Sequence, residues 1–160
     1  ETHIKNIVSN FLPSVFNYLN VNFDYTNQIV AGASMGGLMS IKTSILFPQF
    51  RNIISLSPAF WFGYPRVLYD VKNLSNESST YLYTGKKEGH IFGDHVKNIF
   101  SNDWDLDFSN NDDFYYSGVK KIEDSLKSNN KTVIFSYQEN GHHNETSWAS
   151  AILDILGKLI

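Results

Sequence analysis

Short apolar runs alternate with segments of helical periodicity along the chain, and this alternation constrains the fold more than any other feature. The runs with the length and composition of strands are residues 28–31, 53–56, 81–84 and 132–137. Apolar residues recur at helical spacing in residues 4–19, 38–46, 116–128 and 148–159, and Pro13 is predicted to kink or split the first of these helices. Residues 89–114 show no regular period and are predicted to be mostly loop, with one short helix. Strands that alternate with helices of this length favour a mostly parallel sheet covered by helices on both faces, which is an α/β fold.

The composition supports a folded domain and excludes several classes of function. The chain has 160 residues, of which 42% are hydrophobic, so it can form one domain with a substantial core. Its formal net charge is −3 and it has no basic block, which excludes nucleic-acid binding by phosphate neutralisation. No run of about 18 apolar residues is present, so we expect no membrane span. The absence of cysteine excludes disulfide scaffolds, zinc ribbons and thiol chemistry, but leaves the cellular compartment open.

A G-x-S-x-G motif lies between the first predicted strand and the helix that follows it. The motif consists of Gly32, Ser34 and Gly36 with one residue in each gap. Such a turn is sharp enough to strain the serine backbone, and we expect glycine on each side because a side chain there would collide with the strand or helix. Ser34 would then be raised above the sheet edge at a helix N-terminus, where the N–H of Met35 can stabilise an oxyanion. The alternative is a plain strand-to-helix turn, since glycine-rich turns also occur in nucleotide-binding folds.

A serine nucleophile needs a base and an acid, which follow it in the order acid, then histidine, in folds with this motif. His142 and His143 follow the last predicted strand, so either could reach Ser34, unless both are simply exposed to solvent. The leading candidate for the acid is Glu88, which follows the preceding strand, and Asp94 is the second candidate. The alternative for Glu88 is a solvated surface charge beside two lysines.

Three segments together resemble an esterase branch of the α/β-hydrolase superfamily that includes esterase D-like, feruloyl-esterase-like and siderophore-esterase-like enzymes. They are residues 29–38 (IVAGASMGGL), residues 54–62 (ISLSPAFWF) and residues 141–148 (GHHNETSW). The third segment is similar to a family ending in which the catalytic histidine directly precedes asparagine, and this selects His143 over His142. Residues 85–89 resemble the family's glycine-to-acid turn, which contains Glu88. The resemblance implies an α/β-hydrolase fold and a serine esterase with the triad Ser34, Glu88 and His143.

The chain departs from this family in length. The family's domain is longer than 160 residues and has several strands before the motif, whereas only one predicted helix and one predicted strand precede Ser34 here. A second oxyanion donor belongs to the loop after the third strand of the fold, and that loop has no counterpart in this sequence. We therefore expect residues 1–160 to form a single, incomplete catalytic domain that lacks the amino-terminal strands. Its partner would be the amino-terminal part of the same domain.

An aromatic cluster follows the turn at Ser57 and Pro58. It includes Phe60 and Trp61, for which core packing is the first interpretation. Because the loop also follows a strand, the alternative is that these side chains line an acyl or aryl pocket for the substrate.

The sequence as a whole predicts the hydrolysis of small-molecule carboxylic esters through an acyl-enzyme on Ser34, without a metal ion or an organic cofactor. Two other functions stay open. An acyltransferase would use the same residues with an alcohol acceptor, and a non-catalytic binding module could be built on a hydrolase fold.

Overall fold

The structure is a computed structural model that describes residues 2–22, 28–93, 104–106 and 108–159. The strands are β1 (Ile29–Ala33), β2 (Asn52–Leu56), β3 (Ser79–Lys87) and β4 (Thr132–His142). The α-helices are α1 (Thr2–Asn6), α2 (Leu12–Leu19), α3 (Met35–Leu46), α4 (Arg66–Asp70), α5 (Asn111–Ser128) and α6 (Glu145–Leu159). A π-helical segment (Ile7–Phe11) joins α1 to α2, and 3₁₀ turns are formed by Phe60–Phe62, Val71–Asn73 and Gly89–Phe92.

The four described strands form one parallel sheet in the order β1-β2-β3-β4. Neighbours in space are therefore also neighbours along the chain, and the carboxyl ends of the strands lie at one edge of the sheet. The α/β prediction is confirmed by this topology. The arrangement places the loops that follow the strands side by side.

Alternate residues of the strands supply two cores, one on each face of the sheet. On one face, Ile53 and Leu82 pack with residues of α3, α4 and α5, including the fully buried Ile41 and Ile122. The core on the opposite face joins strands to helix α6 and contains Ile54, Leu56, Tyr81, Tyr83, Ala151 and Ile155. Helices thus cover both faces, as the sequence predicts.

Pro13 lies in the first turn of α2, directly after the π-helical segment. Proline lacks an N–H and its ring conflicts with the preceding helical turn, so a wider turn before it relieves the conflict. The predicted first helix is therefore divided into three consecutive segments. Ile4 and Val8 from this region are buried against Phe50.

Several element boundaries differ from the predictions, most clearly the start of α5 and the ends of β3 and β4. Helix α5 begins at Asn111 rather than near residue 116, because the side chain of Asn110 accepts a hydrogen bond from the N–H of Asp113 and caps the helix. Strands β3 and β4 extend beyond the predicted ends at residues 84 and 137, since their pairing continues to Lys87 opposite His142 with a register shift near Gly85. The residues of these extensions are mostly polar, so they do not show the apolar pattern that predicts a strand.

Within the described ranges, no helix is both long enough and apolar enough to cross a membrane.

Candidate active site

Each of the four strands is followed directly by a polar residue of the site. Ser34 follows β1, Ser57 follows β2, Glu88 follows β3 and His143 follows β4. Because the strands are parallel and adjacent, these residues converge at the carboxyl edge of the sheet. Residues separated by up to 109 positions in the sequence come within hydrogen-bonding distance here.

Ser34 has a backbone conformation that L-amino acids rarely adopt, with φ 56° and ψ −120°. A Cβ on Gly32 would lie 2.3 Å from the carbonyl oxygen of Gly36, so glycine is required there as predicted. The corresponding prediction for Gly36 is wrong, since a Cβ at this exposed position would meet no described atom within 4 Å. The neighbouring Gly37 has the steric role instead, because its Cβ would lie 2.7 Å from the carbonyl oxygen of Leu56.

A continuous chain of hydrogen bonds joins Ser34 to His143 and His143 to Glu88. His143 Nε2 lies 2.9 Å from Ser34 Oγ, and His143 Nδ1 lies 2.9 Å from Glu88 Oε2. The Glu88 side chain is fully buried, and 9% of the His143 side chain is exposed. His142, the alternative base, is exposed and its ring lies 5.8 Å from that of His90. The geometry therefore brings together Ser34, His143 and Glu88.

The hydrogen bonds around Glu88 define which ring nitrogen of His143 carries the proton. Glu88 Oε1 accepts hydrogen bonds from the N–H of Gly85 at 2.5 Å and from Ser57 Oγ at 2.6 Å. Ser57 Oγ in turn accepts the indole N–H of Trp148 at 3.0 Å, and an indole N–H can only donate. Both oxygens of an ionised carboxylate can only accept hydrogen bonds. The hydrogen bond at Oε2 must therefore be donated by His143, so the ring proton of His143 belongs on Nδ1. Nε2 is then free to accept the hydroxyl proton of Ser34.

Two buried tyrosines border this carboxylate. Burial, followed by the charge of Glu88, raises the pKa of Tyr83 to about 12 and raises the pKa of Tyr115 well above its usual value. Both phenols therefore stay protonated at neutral pH. The Tyr115 hydroxyl donates to the carbonyl oxygen of Ser57 at 2.6 Å, and the Tyr115 ring lies 5.3 Å from the ring of His143.

Glu88 does not have the surroundings of a solvated surface charge. The preceding lysines lie toward the surface, and Lys86 pairs with Glu139 at 2.8 Å. Glu88 points inward under the end of β3, with no exposed surface. Asp94, the alternative acid, lies outside the described residues.

Met35 is the first residue of α3, so its N–H is among the donors that have no partner within the helix. Met35 directly follows Ser34 in the chain, and its role as an oxyanion donor stays a prediction. Phe60 and Trp61 differ from each other in burial. Phe60 has no exposed surface and belongs to the core, as the first interpretation states. Trp61 is partly exposed, and its ring packs 5.3 Å from the ring of Tyr115.

Sequence reasoning assigned no role to Ser57 or Trp148. Ser57 follows its strand as directly as Ser34 follows β1, and this shared position is the signal that could have identified it. The contact with Trp148 spans 91 positions and has no local signal in the sequence.

Comparisons with known proteins place this geometry in a structural context. No family model and no curated protein matches the sequence. Among solved structures, the chain is similar to the enterobactin esterase of Shigella flexneri, with a TM-score of 0.68 and 16% identity over 98% of this chain and 38% of that one. A ferulic acid esterase matches with a TM-score of 0.67 and 15% identity over 95% of this chain and 57% of that one. The capsule O-acetyltransferase of Neisseria meningitidis serogroup A matches with a TM-score of 0.60 and 10% identity over 94% of this chain and 63% of that one.

These structural neighbours are esterases and an O-acetyltransferase, and the chain spans 38% to 63% of their lengths. Their likeness extends over 94% to 98% of this chain. The chain therefore shares the α/β-hydrolase fold of these structures over part of their length.

Proposed function

We propose that the chain carries the catalytic residues of a serine hydrolase that cleaves carboxylic esters. The observation that supports this most directly is the hydrogen-bonded series from Ser34 Oγ through His143 to Glu88, with both distances at 2.9 Å. The strained backbone of Ser34, positioned at the start of a helix, provides further support. Strain of this kind is costly and is found most often at functional sites.

The reaction begins when Ser34 Oγ attacks the ester carbonyl carbon and His143 Nε2 takes the hydroxyl proton. As the new C–O bond forms, the carbonyl oxygen becomes an oxyanion, which the N–H of Met35 and the N-terminal end of α3 stabilise. The bond to the alcohol then breaks, and the alcohol leaves with the proton returned by His143. Water, activated by the same nitrogen, attacks the acyl group and releases the acid from Ser34.

Glu88 keeps His143 in the tautomer that this reaction needs. Its Oε2 accepts the Nδ1 proton, which holds the ring in place and leaves Nε2 as the base. The negative charge of the carboxylate also stabilises the imidazolium that forms during the attack.

We also propose that residues 1–160 form one catalytic domain together with an amino-terminal part of the same protein. The esterases that the chain resembles are longer, and the chain spans 38% of the length of the enterobactin esterase. An apolar cavity of about 420 Å³ lies beside the outer strand β1, with Ile4, Val8 and Val30 in its wall. Further chain packed here would cover this surface and could supply the second oxyanion donor.

Trp61 is proposed to line the pocket for the acyl or aryl part of the substrate. It lies in the loop after β2 at the carboxyl edge and packs against Tyr115, whose ring contacts His143. Phe60 lies beneath it in the core and supports the loop.

Labelling with a fluorophosphonate probe and measurement of ester turnover in the full-length protein would test the proposed reaction. The wild-type protein should be labelled and should hydrolyse simple esters, and Ser34→Ala should lose both properties. Ser14→Ala is the matched control, because Ser14 is an exposed helical serine whose hydroxyl donates to the carbonyl oxygen of Asn10 in the preceding turn. Absence of labelling in the wild-type protein would favour a non-catalytic binding module.

The likeness to the capsule O-acetyltransferase favours a second candidate function, acyl transfer through the same residues. An acyltransferase would pass the acyl group from Ser34 to an alcohol rather than to water. Product analysis with and without an added alcohol separates the two reactions, since a new ester forms only in the second case.

A further inference from the structure

Ser57 occupies the position on β2 that Ser34 and Glu88 occupy on the two neighbouring strands. It is fully buried, and its backbone has a positive φ of 43°. A non-glycine residue in this region is strained and persists only where its surroundings hold it. Ser57 is therefore held in an unfavourable conformation at the centre of the site.

Four hydrogen bonds hold Ser57 in that conformation. Its N–H donates to the carbonyl oxygen of Tyr83 at 2.7 Å, and its carbonyl oxygen accepts the Tyr115 hydroxyl at 2.6 Å. Its hydroxyl accepts the indole N–H of Trp148 at 3.0 Å and lies 2.6 Å from Glu88 Oε1. The backbone and the side chain are thus both constrained by neighbouring elements.

The direction of the Ser57 hydroxyl follows from the chemistry of its partners. Because the Trp148 indole can only donate, Ser57 Oγ must accept that hydrogen bond. The hydroxyl proton is then available to Glu88, which also accepts the N–H of Gly85 on the same oxygen. A hydrogen bond donated to a charged group is stronger than one between neutral groups.

We propose that Ser57 is a positioning residue for Glu88 and that Trp148 sets the direction in which its hydroxyl donates. This role rests on the proposed function, because Ser57 acts only through Glu88 and His143. The hydroxyl stabilises the carboxylate charge and holds Oε2 in line with His143 Nδ1. The Trp148 ring also packs edge-to-face against His143, with ring centres 4.9 Å apart, so the same indole contacts both Ser57 and His143.

The test compares Ser57→Ala with Ser44→Ala in the full-length protein. Ser44 is also fully buried, but its hydroxyl donates to the backbone carbonyl of Phe50 rather than to a group of the site. Both variants lose one buried hydroxyl, so a purely structural effect would lower the melting temperature of each without altering catalysis selectively. Ser57→Ala should reduce kcat by about 10- to 100-fold with little change in KM, the range expected for one hydrogen bond to a charged group.

The pH profile provides a readout that packing alone would not move. The Ser57→Ala change removes a hydrogen-bond donor from Glu88 Oε1. This destabilises the form of the Glu88–His143 pair that has a net negative charge, compared with the form that has bound one more proton. The acid limb of kcat/KM in Ser57→Ala should therefore move to higher pH, by about one pH unit. Trp148→Phe, which keeps an aromatic ring beside His143, should move the limb in the same direction by less.

Other ionisable groups near the pair are Tyr83 on β3, Tyr115 and Asp112 on α5, and His142 at the end of β4. The two tyrosines stay protonated across the acid limb because their pKa values are raised. The Asp112 carboxylate accepts the N–H of Gly89, which follows Glu88. Recording the profiles in His142→Ala as well removes any contribution from that exposed ring.

The outcomes separate this role from the proposed function. If ester turnover survives Ser34→Ala, the proposed function is wrong and the role of Ser57 is wrong with it. If turnover requires Ser34 but the Ser57→Ala profile coincides with that of Ser44→Ala, only the role of Ser57 is wrong. Should Ser57→Ala not fold, an unchanged acid limb in Trp148→Phe overturns the proposal and a shifted limb supports it.

Discussion

Replacing Glu88 by glutamine tests the proton arrangement on which the proposed mechanism depends. The two side chains have nearly the same shape, but the amide has one oxygen that accepts and one nitrogen that donates. Glu88 Oε1 accepts the N–H of Gly85 at 2.5 Å and the hydroxyl of Ser57 at 2.6 Å, so the amide oxygen must occupy this position. The amide nitrogen then faces His143 Nδ1 and donates to it.

This reversal moves the proton of His143 from Nδ1 to Nε2. With a proton on Nε2, the ring cannot accept the hydroxyl proton of Ser34 and no longer acts as its base. In serine proteases, the equivalent change from acid to amide lowers kcat by about 10⁴-fold through the same tautomer error. A loss of this size corresponds to about 5 kcal/mol of transition-state stabilisation.

The assay is kcat for a chromogenic ester and the rate of fluorophosphonate labelling in the full-length protein, with the fold checked by circular dichroism. Glu123→Gln is the matched control, since Glu123 is a nearly buried glutamate that pairs with Lys120 and Lys127 on α5 rather than with the site. The control should lose stability but retain kcat. A folded Glu88→Gln protein with kcat within about tenfold of the wild-type value would refute the tautomer argument.

His143→Ala should abolish turnover whereas His142→Ala should retain most of it, and steady-state kinetics with the reverse result would assign the base to the other ring. Gly32→Ala should lower the free energy of unfolding by about 3 kcal/mol because its Cβ would lie 2.3 Å from a carbonyl oxygen, whereas Gly36→Ala should change it little. Denaturant titration measures this difference, and equal losses would contradict the steric assignment. Trp61→Ala should raise KM for aryl esters more than it lowers kcat, and an unchanged KM would remove Trp61 from the proposed pocket.

The order of elements and the position of Ser34 could be predicted because the signals are local. Apolar periodicity distinguishes strands from helices, and a glycine-flanked serine between the two marks a sharp turn. In a parallel sheet of consecutive strands, the residues after the strands must share one edge. This general rule was enough to select the regions that contain Glu88 and His143.

The choice between neighbouring residues depends on tertiary structure. Side chains alternate between the two faces of a strand, so a difference of one residue in the end of β4 determines whether His142 or His143 faces Ser34. Local sequence signals cannot determine that end, because the polar end of β4 is held by pairing with β3 rather than by its own pattern. The resemblance to known esterases, rather than periodicity, selected His143.

The burial of Glu88 and the contacts of Ser57 illustrate the same limit. Glu88 follows two lysines, and such a sequence is typical of a surface turn. The carboxylate is turned inward only because β3 extends to Lys87 with a register shift near Gly85. The amino-acid pattern alone defined the α/β class and the nucleophile turn, because both follow from contacts within a few residues. The hydrogen bonds that position Glu88 are determined only by the tertiary structure. Ser57 and Trp148 meet only when the end of β2 and helix α6 are brought together at the same sheet edge.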